Sequence, residues 1–293
     1  IRAGIGGDDD GKQRLMYRAT PDQPFKTLSN EKDTTFTGTQ ITPDIFTLDG
    51  DIAYATSNKD GYRKVYRVNL ATMEVVGKPV FEVPGHDVEG LVPSKDDTRL
   101  IGVRYTTNKQ RTRWFDGRLN EIQKFFDEDF GAGNARIMSA DDDYTKLVVF
   151  IAKPSEPGTY YLYDTVSGNL GVLGHFHPDL QDADLNPTET IRYKASDGME
   201  IPAVVTYPRH RPHRKNLPVI VMPHGGPFGV RDEEEFGFFP WQQAMAELGY
   251  VVIQPNYRGS GGYGKQFVLE GRKPNGYGQR MQDDLNDALT WFG

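Results

Sequence analysis

The chain has 293 residues, with 34 Lys and Arg against 41 Asp and Glu, a formal net charge of −7. That acidic balance argues against nucleic-acid and anionic-membrane partners, which need a basic surface, and a hydrophobic content of 37% is too high for a disordered chain. Cysteine is absent, which excludes disulfides, thiolate-zinc sites and thiol catalysis, while a length of ~150 residues per domain predicts two domains.

The 32 glycines, 19 prolines, 15 tyrosines and 16 phenylalanines favour turns and strands over long helical bundles. The longest clean apolar runs, at 147–152 and 250–253, fall far short of the ~20 residues of a membrane helix. Ile1 opens the chain with no charged start and no apolar stretch behind it. The expectation is a cytoplasmic protein; a signal peptide lost ahead of Ile1 would instead make it periplasmic or secreted. Asp8-Asp9-Asp10-Gly11 lacks the remaining ligands of a calcium loop and reads as a hairpin turn.

The first ~185 residues repeat. Asp49-Gly50-Asp51-Ile52-Ala53-Tyr54, Asp97-Thr98-Arg99-Leu100-Ile101 and Asp143-Tyr144-Thr145-Lys146-Leu147 each run from an acidic turn into a strand, with leading Asp residues 48 and 46 positions apart. A second strand follows each, carrying Tyr66, Trp114 and Tyr161, and Tyr17 fits one period earlier. A period in the forties with several short strands predicts propeller blades of four strands. About four blades fit residues 1–187, and propellers close with ~4–8, so further blades are expected ahead of Ile1.

Near residue 187 the pattern changes. Residues 190–195 read as a strand, Asp197-Gly198 as a tight turn and 200–207 as the partner strand. Residues 217–222 are a short buried strand leading to His224-Gly225-Gly226-Pro227. Pro240 can start a helix that buries Trp241, Ala244, Met245 and Leu248 and stops at Gly249. Residues 250–253 form a second buried strand, and 276–292 a helix burying Met281, Leu285, Ala288, Leu289 and Phe292. Strand, helix, strand, helix predicts a parallel sheet covered on both faces.

Glycines straight after a buried strand let the backbone turn sharply with its N–H groups facing open space. In an α/β-hydrolase such a loop supplies an oxyanion-hole donor, which favours a functional reading of 224–227 over an ordinary turn. Residues 256–265 fit two nucleotide motifs poorly: the P-loop spacing Gly259 to Lys265 is followed by Gln266 rather than Ser or Thr, and too little chain follows Gly264 for a dinucleotide fold. Ser260 has Arg258 two residues before it, and no other serine has glycine at both −2 and +2, so the chain holds no nucleophile elbow. His175 with His177, and His210 with His213, read as solvated loop histidines. The acidic stretch 232–235 reads as solvated, with a substrate amino group as its other reading, and Asp283, Asp284 and Asp287 lie opposite the apolar face of the last helix. No cofactor and no metal is expected.

These motifs in this order resemble the prolyl oligopeptidase family of serine peptidases. They are the propeller repeat, Asp197-Gly198-Met199-Glu200-Ile201-Pro202, Val221-Met222-Pro223-His224-Gly225-Gly226-Pro227 and Asn256-Tyr257-Arg258-Gly259-Ser260-Gly261-Gly262-Tyr263-Gly264. The His-Gly-Gly-Pro form is similar to the acylaminoacyl-peptidase and dipeptidyl-aminopeptidase-like branches. The resemblance implies a partial β-propeller over 1–187, followed over 188–293 by the N-terminal half of an α/β-hydrolase domain that ends before the nucleophile elbow. It implies a Ser-Asp-His peptidase acting on short peptides through an acyl-enzyme, with all three triad members outside this chain, which alone is expected to be inactive. Gly225 and Gly226 fall on the oxyanion loop, His224 on the residue that shapes it, Arg258 on the arginine of the family's second motif, and Tyr257 with Arg258 on substrate-binding positions. A short peptide is the expected partner, and a homo-oligomer of the full-length protein stays open. An esterase or amidase on the same scaffold, and a non-catalytic propeller with a decayed hydrolase-like tail, are the alternatives.

Overall fold

Three turns in the first half of the chain are built alike. The backbone N–H groups of Thr47, Ser94 and Asp141 donate to the carbonyls five residues on, at Ile52, Arg99 and Lys146, over 3.1, 2.8 and 3.0 Å. Gly50, Asp97 and Tyr144 occupy the same place in these turns with φ of +56°, +55° and +54°. Both series step by 47 residues, so the repeat is one of backbone geometry, and the acidic residues Asp49, Asp97 and Asp143, 48 and 46 apart, are one place out of register at Asp97. The first residue of each turn also uses its side chain: Thr47 Oγ1 accepts from Asp49 N (3.2 Å), Ser94 Oγ from Arg99 N (3.0 Å) and Asp141 Oδ1 from Thr145 N (2.6 Å). Short polar side chains that satisfy turn amides explain why Thr, Ser and Asp interchange here.

The computed structural model describes residues 2–7, 12–32, 41–153, 156–180, 185–211, 213, 215–234 and 241–292; the turn expected at 8–11 lies outside them. Two units are distinguished, Ile1–Thr106 with Gly261–Glu270, and Thr107–Ser260 with Gly271–Gly293.

In the first unit, β1 (Ala3–Gly7), β2 (Lys12–Tyr17) and β3 (Lys26–Lys32) form an antiparallel sheet. A second antiparallel sheet consists of β4 (Thr42–Phe46), β5 (Ile52–Ser57), β6 (Lys64–Asn69) and β7 (Glu74–Phe81). Then β8 (Val88–Pro93) pairs antiparallel with β9 (Leu100–Thr106). Successive sheets pack through their apolar faces. Tyr17, Ala53 and Leu70 meet Leu28 and Phe46 in one layer, and Ile45, Val65, Val88, Leu91 and Val103 fill the next. Strand alternation supplies these faces, as in β5, where every second residue is buried.

The second unit opens with β10 (Gln110–Trp114), which carries Trp114. A helix that the repeat does not announce follows, α1 (Gly117–Phe130), capped by the Asp116 carboxylate, which accepts from Leu119 N over 3.0 Å. It buries Leu119 and Phe126, with Phe126 edge-on to Tyr163 at 5.0 Å between ring centroids. The antiparallel sheet β11 (Ala135–Ala140), β12 (Lys146–Lys153), β13 (Glu156–Asp164) and β14 (Leu170–His175) completes this part. The described strands of the two units thus form consecutive antiparallel sheets, and no closed propeller is found among them.

The remainder is a mixed sheet in the order β15 (Thr188–Lys194), β16 (Glu200–Thr206), β18 (Val251–Pro255), β17 (Val219–Val221). The hairpin read at 190–207 is the antiparallel pair β15 with β16, and the strand-helix alternation gives the parallel pair β17 with β18; the antiparallel pairing of β16 with β18 joins them, so the sheet is mixed rather than parallel. The tight turn at Asp197-Gly198, with Gly198 at φ +87°, dictates the hairpin, whereas α2 (Trp241–Glu247) provides the crossover that a parallel pair requires. Between β16 and β17, β18 is buried throughout.

The buried face of α2 is also not the expected one. Gln242, Gln243 and Ala246 are buried, whereas Trp241 and Leu248 are 61% and 73% exposed. The cause is a polar partner: Gln243 Oε1 accepts from Asn186 N (2.7 Å) and its Nε2 donates to Asn186 O (3.0 Å). Gly249, at φ +101°, ends this helix as read; Pro240 lies outside the described residues. After α3 (Lys265–Arg272), in place of one helix over 276–292, there is a kinked π-type turn at Gly276–Arg280, non-helical at Tyr277 and Gly278, and then α4 (Met281–Phe292).

Candidate active site

Because β17 and β18 run parallel, their C-terminal ends reach the same edge of the sheet, and each continues into a glycine-bearing loop. Ligand sites of open α/β sheets lie beyond those strand ends. From β17 comes His224-Gly225-Gly226-Pro227; from β18 comes 256–260, buried at every position.

His224 and Tyr257 tie the two loops together. Their rings stack with centroids 4.7 Å apart and planes 16° from parallel. The Tyr257 hydroxyl donates to the His224 carbonyl over 2.8 Å. His224 Nε2 lies 2.9 Å from Ser260 Oγ, which donates to the Tyr257 carbonyl at 2.6 Å, and His224 Nδ1 lies 2.8 Å from the Gly225 carbonyl. Burial pushes the Tyr257 hydroxyl above its ordinary range, aided by the charge of Asp232, so it stays a donor at neutral pH.

Gly225 and Gly226 are exposed, and Gly226 has φ +117°. Among the described residues neither glycine donates its backbone N–H to a protein acceptor. A Cβ at Gly226 would lie 3.1 Å from Val230 Cγ2, so positive φ and tight packing both favour glycine there. The sequence-derived oxyanion candidates therefore sit on a loop whose base is fixed and whose two glycines face outward.

Arg258 occupies a different environment from the one expected of a substrate-binding group. Its Nε and Nη2 donate to Asp284 Oδ2 and Oδ1 over 2.9 and 2.6 Å, and its Nη1 donates to Asp197 Oδ2 over 2.8 Å. The Arg258 side chain is 4% exposed and that of Asp284 0%. Asp284, read as lying opposite the apolar face of the last helix, is thus a buried α4 carboxylate and also accepts from Arg258 N. Burial pushes the Asp284 carboxyl up, against the opposing pull of Arg258. Asp197, at the hairpin turn, is held below the usual carboxylate range chiefly by its bond from Arg258. Asp287, on the same helix, accepts from Ser196 N over 2.6 Å.

The acidic stretch after the first loop is likewise not a solvated patch. Glu234 is 9% exposed and accepts from Thr190 N (2.7 Å) and Asn108 Nδ2 (2.8 Å). Asp232 exchanges two bonds with the Asn256 carboxamide, N to Oδ1 at 2.7 Å and Nδ2 to O at 3.0 Å. Burial raises the Asp232 carboxyl, opposed by His224 and a bond from Gln254. Glu235 lies outside the described residues. Sequence reasoning missed Asn256, Ser260 as a partner of His224, and Asp284. The only signal for the first two was their place beside Tyr257 in the loop after a buried strand. His175 Nδ1 lies 3.1 Å from Thr159 Oγ1 at the end of β14, and no group of three metal-ligating side chains occurs among the described residues.

The fold and this site define an α/β protein whose polar loops gather at the ends of a parallel strand pair. Residues 236–293 match the prolyl oligopeptidase family. It is 28% identical over 263 residues to dipeptidyl aminopeptidase BIII of Pseudoxanthomonas mexicana, covering 85% of this chain and 36% of that protein. It is 30% identical over 92 residues to the acylamino-acid-releasing enzyme of Sus scrofa, covering 31% of this chain and 12% of that one. Among solved structures, a Mycobacterium tuberculosis puromycin-hydrolyzing peptidase superposes over 99% of this chain and 46% of its own, with a TM-score of 0.66 and 18% identity. The chain thus spans well under half the length of the curated relatives it matches.

Proposed function

We propose that the protein carrying this chain is a serine-type peptidase that cleaves short peptides through an acyl-enzyme. The observation that carries the reading is the bonded set His224, Tyr257 and Ser260, which fixes the base of the Gly225-Gly226 loop and leaves those N–H groups unengaged. In such a reaction a serine oxygen adds to the scissile carbonyl, whose oxygen becomes negatively charged. Backbone N–H groups held in advance stabilise that charge, and loss of one such donor lowers kcat by roughly 10²–10³-fold. The amine then departs and water releases the acyl group. In this assignment Gly225 and Gly226 form the oxyanion loop and His224 shapes it.

The nucleophile, acid and base are assigned outside these 293 residues, because no serine here has glycine at both −2 and +2. The antiparallel sheets over 1–187 are assigned as propeller blades that admit only short peptides to the hydrolase part at 188–293. The family match over residues 236–293 and the similarity to dipeptidyl aminopeptidase and acylamino-acid-releasing relatives support the peptide class of substrate.

The test compares turnover of aminoacyl and acyl-aminoacyl anilides with that of simple esters, using the full-length protein and the 293-residue chain. Amide turnover by the full-length protein alone is the expected result. Ester turnover with no amide turnover assigns an esterase, and no turnover of either refutes the hydrolase reading.

A further inference from the structure

The loop after β18 has a closed neck. A Cβ on Gly271 would lie 2.7 Å from Gly259 Cα and 3.0 Å from the Arg258 carbonyl, so the chain leaves at Gly259 and returns at Gly271 in direct contact with itself. Such a neck defines an Ω-type excursion. Its body, Gly261–Glu270, groups with the first unit, although both flanks group with the second.

Within the first unit this segment is held by backbone hydrogen bonds and by one carboxylate. Asp87 N donates to the Gly262 carbonyl (2.9 Å), and Lys265 N donates to the Gly61 carbonyl (2.7 Å). The Asp87 carboxylate accepts from Arg63 N (2.7 Å) through Oδ1 and from Gly264 N (3.1 Å) through Oδ2. Tyr263 lies against His86 with ring centroids 5.9 Å apart. Gly264, at φ +88°, has no room for a side chain, since a Cβ would meet Tyr62 Cε1 at 2.7 Å. Asp87 thus pins its own β7–β8 connection and the Gly262–Gly264 turn to one point.

We propose that Asp87 is a positioning residue for the oxyanion loop. It holds the Gly262–Gly264 turn, which fixes Ser260 two residues upstream, and Ser260 in turn meets His224 Nε2 at 2.9 Å. The inference rests on the reading of Gly225-Gly226 as the oxyanion loop. A group that acts by ordering oxyanion donors affects kcat and leaves KM almost unchanged.

The test uses the full-length protein with Asp87→Ala and Asp87→Asn, read by amide hydrogen exchange at Ser260, Gly262 and Gly264 and by kcat and KM on an anilide substrate. In Asp87→Ala, exchange at all three amides rises about tenfold and kcat falls about tenfold, with KM within about twofold. Asp87→Asn, which keeps one acceptor oxygen, falls between this variant and the wild type. Faster exchange at Gly262 and Gly264 with Ser260 still protected and kcat unchanged overturns the proposal. If Asp87→Ala does not fold, Asp87→Asn and Gly264→Ala, which displaces the turn from the side of Tyr62, carry the same comparison. If the wild type hydrolyses no amide, the peptidase reading falls. Exchange at Ser260 then decides alone: acceleration in the variants supports the role of Asp87, and no change overturns it.

Discussion

Removing the Asp284 carboxylate tests whether the ends of β18 and α4 are held by charge. In Asp284→Ala the Arg258 guanidinium, 4% exposed, loses two of its three side-chain bonds, and the Arg258 amide loses its acceptor. Breaking a buried ion pair from one side lowers stability by about 3–5 kcal/mol. Asp197 remains 2.8 Å from Nη1 and is 30% exposed, so part of the charge stays compensated by a carboxylate that water screens, and the lower end, about 3 kcal/mol, is expected. Replacing both partners, Arg258→Met with Asp284→Leu, removes the unpaired charge and is expected to lie closer to the wild type than Asp284→Ala alone. Urea unfolding followed by tryptophan fluorescence measures both, with m held constant. An Asp284→Ala change below about 0.5 kcal/mol would place it among ordinary surface substitutions and refute the reasoning.

Tyr257→Phe removes the hydroxyl that donates to the His224 carbonyl but keeps the stacked ring, and a loss of about 1 kcal/mol in the same unfolding assay is expected. Gly158→Ala would set a Cβ 1.8 Å from Phe150 Cζ, so the ring must leave its packing; a loss of about 1–3 kcal/mol is expected, and an unchanged urea midpoint would contradict that geometry. Phe126→Ala, from 0% exposure, empties the contact of α1 with Tyr163, with about 3–5 kcal/mol lost in equilibrium unfolding. Asp197 is held below its ordinary range in the folded protein, so its contribution is complete above about pH 4 and is lost as pH falls through the lowered value; Asp197→Asn should flatten that part of an acid-unfolding curve.

The elements legible in the sequence were those specified by neighbours in the chain. A repeat with a period in the forties, the Asp197-Gly198 hairpin and the loops after β17 and β18 all follow from turn residues beside apolar strands. Where the sequence misled, the deciding partner was distant. The aspartates opposite the apolar face of α4 carry no sign of a buried role, because buried carboxylates are rare unless paired and Arg258, the partner of Asp284, lies 26 residues away. Trp241 and Leu248 belong to the apolar stripe of the helix expected to end at Gly249, yet Asn186, 57 residues before Gln243, draws the polar face of α2 inward. The helix α1 carried a local signal, Asp116 as cap with Leu119 and Phe126 seven apart, but it falls where the repeat predicts another strand. The mixed character of the sheet was hidden for a related reason: α2 links only β17 to β18, and the alternation of elements says nothing of which strand β16 pairs with.

The matched turns at Gly50, Asp97 and Tyr144 make the chain its own reference series. Glycine, a short acidic residue and a bulky aromatic hold one left-handed conformation within two degrees, each closed by the same five-residue hydrogen bond. Left-handed backbone disfavours a side chain by roughly 1–2 kcal/mol, which glycine escapes. Exchanging residues among the three sites would therefore separate what the turn demands from what its surroundings tolerate. Tyr144→Gly relaxes the strained site and Gly50→Tyr strains the relaxed one, so opposite shifts of similar size would show that strain is a property of the turn itself. Unequal shifts would measure the contribution of local packing at each copy.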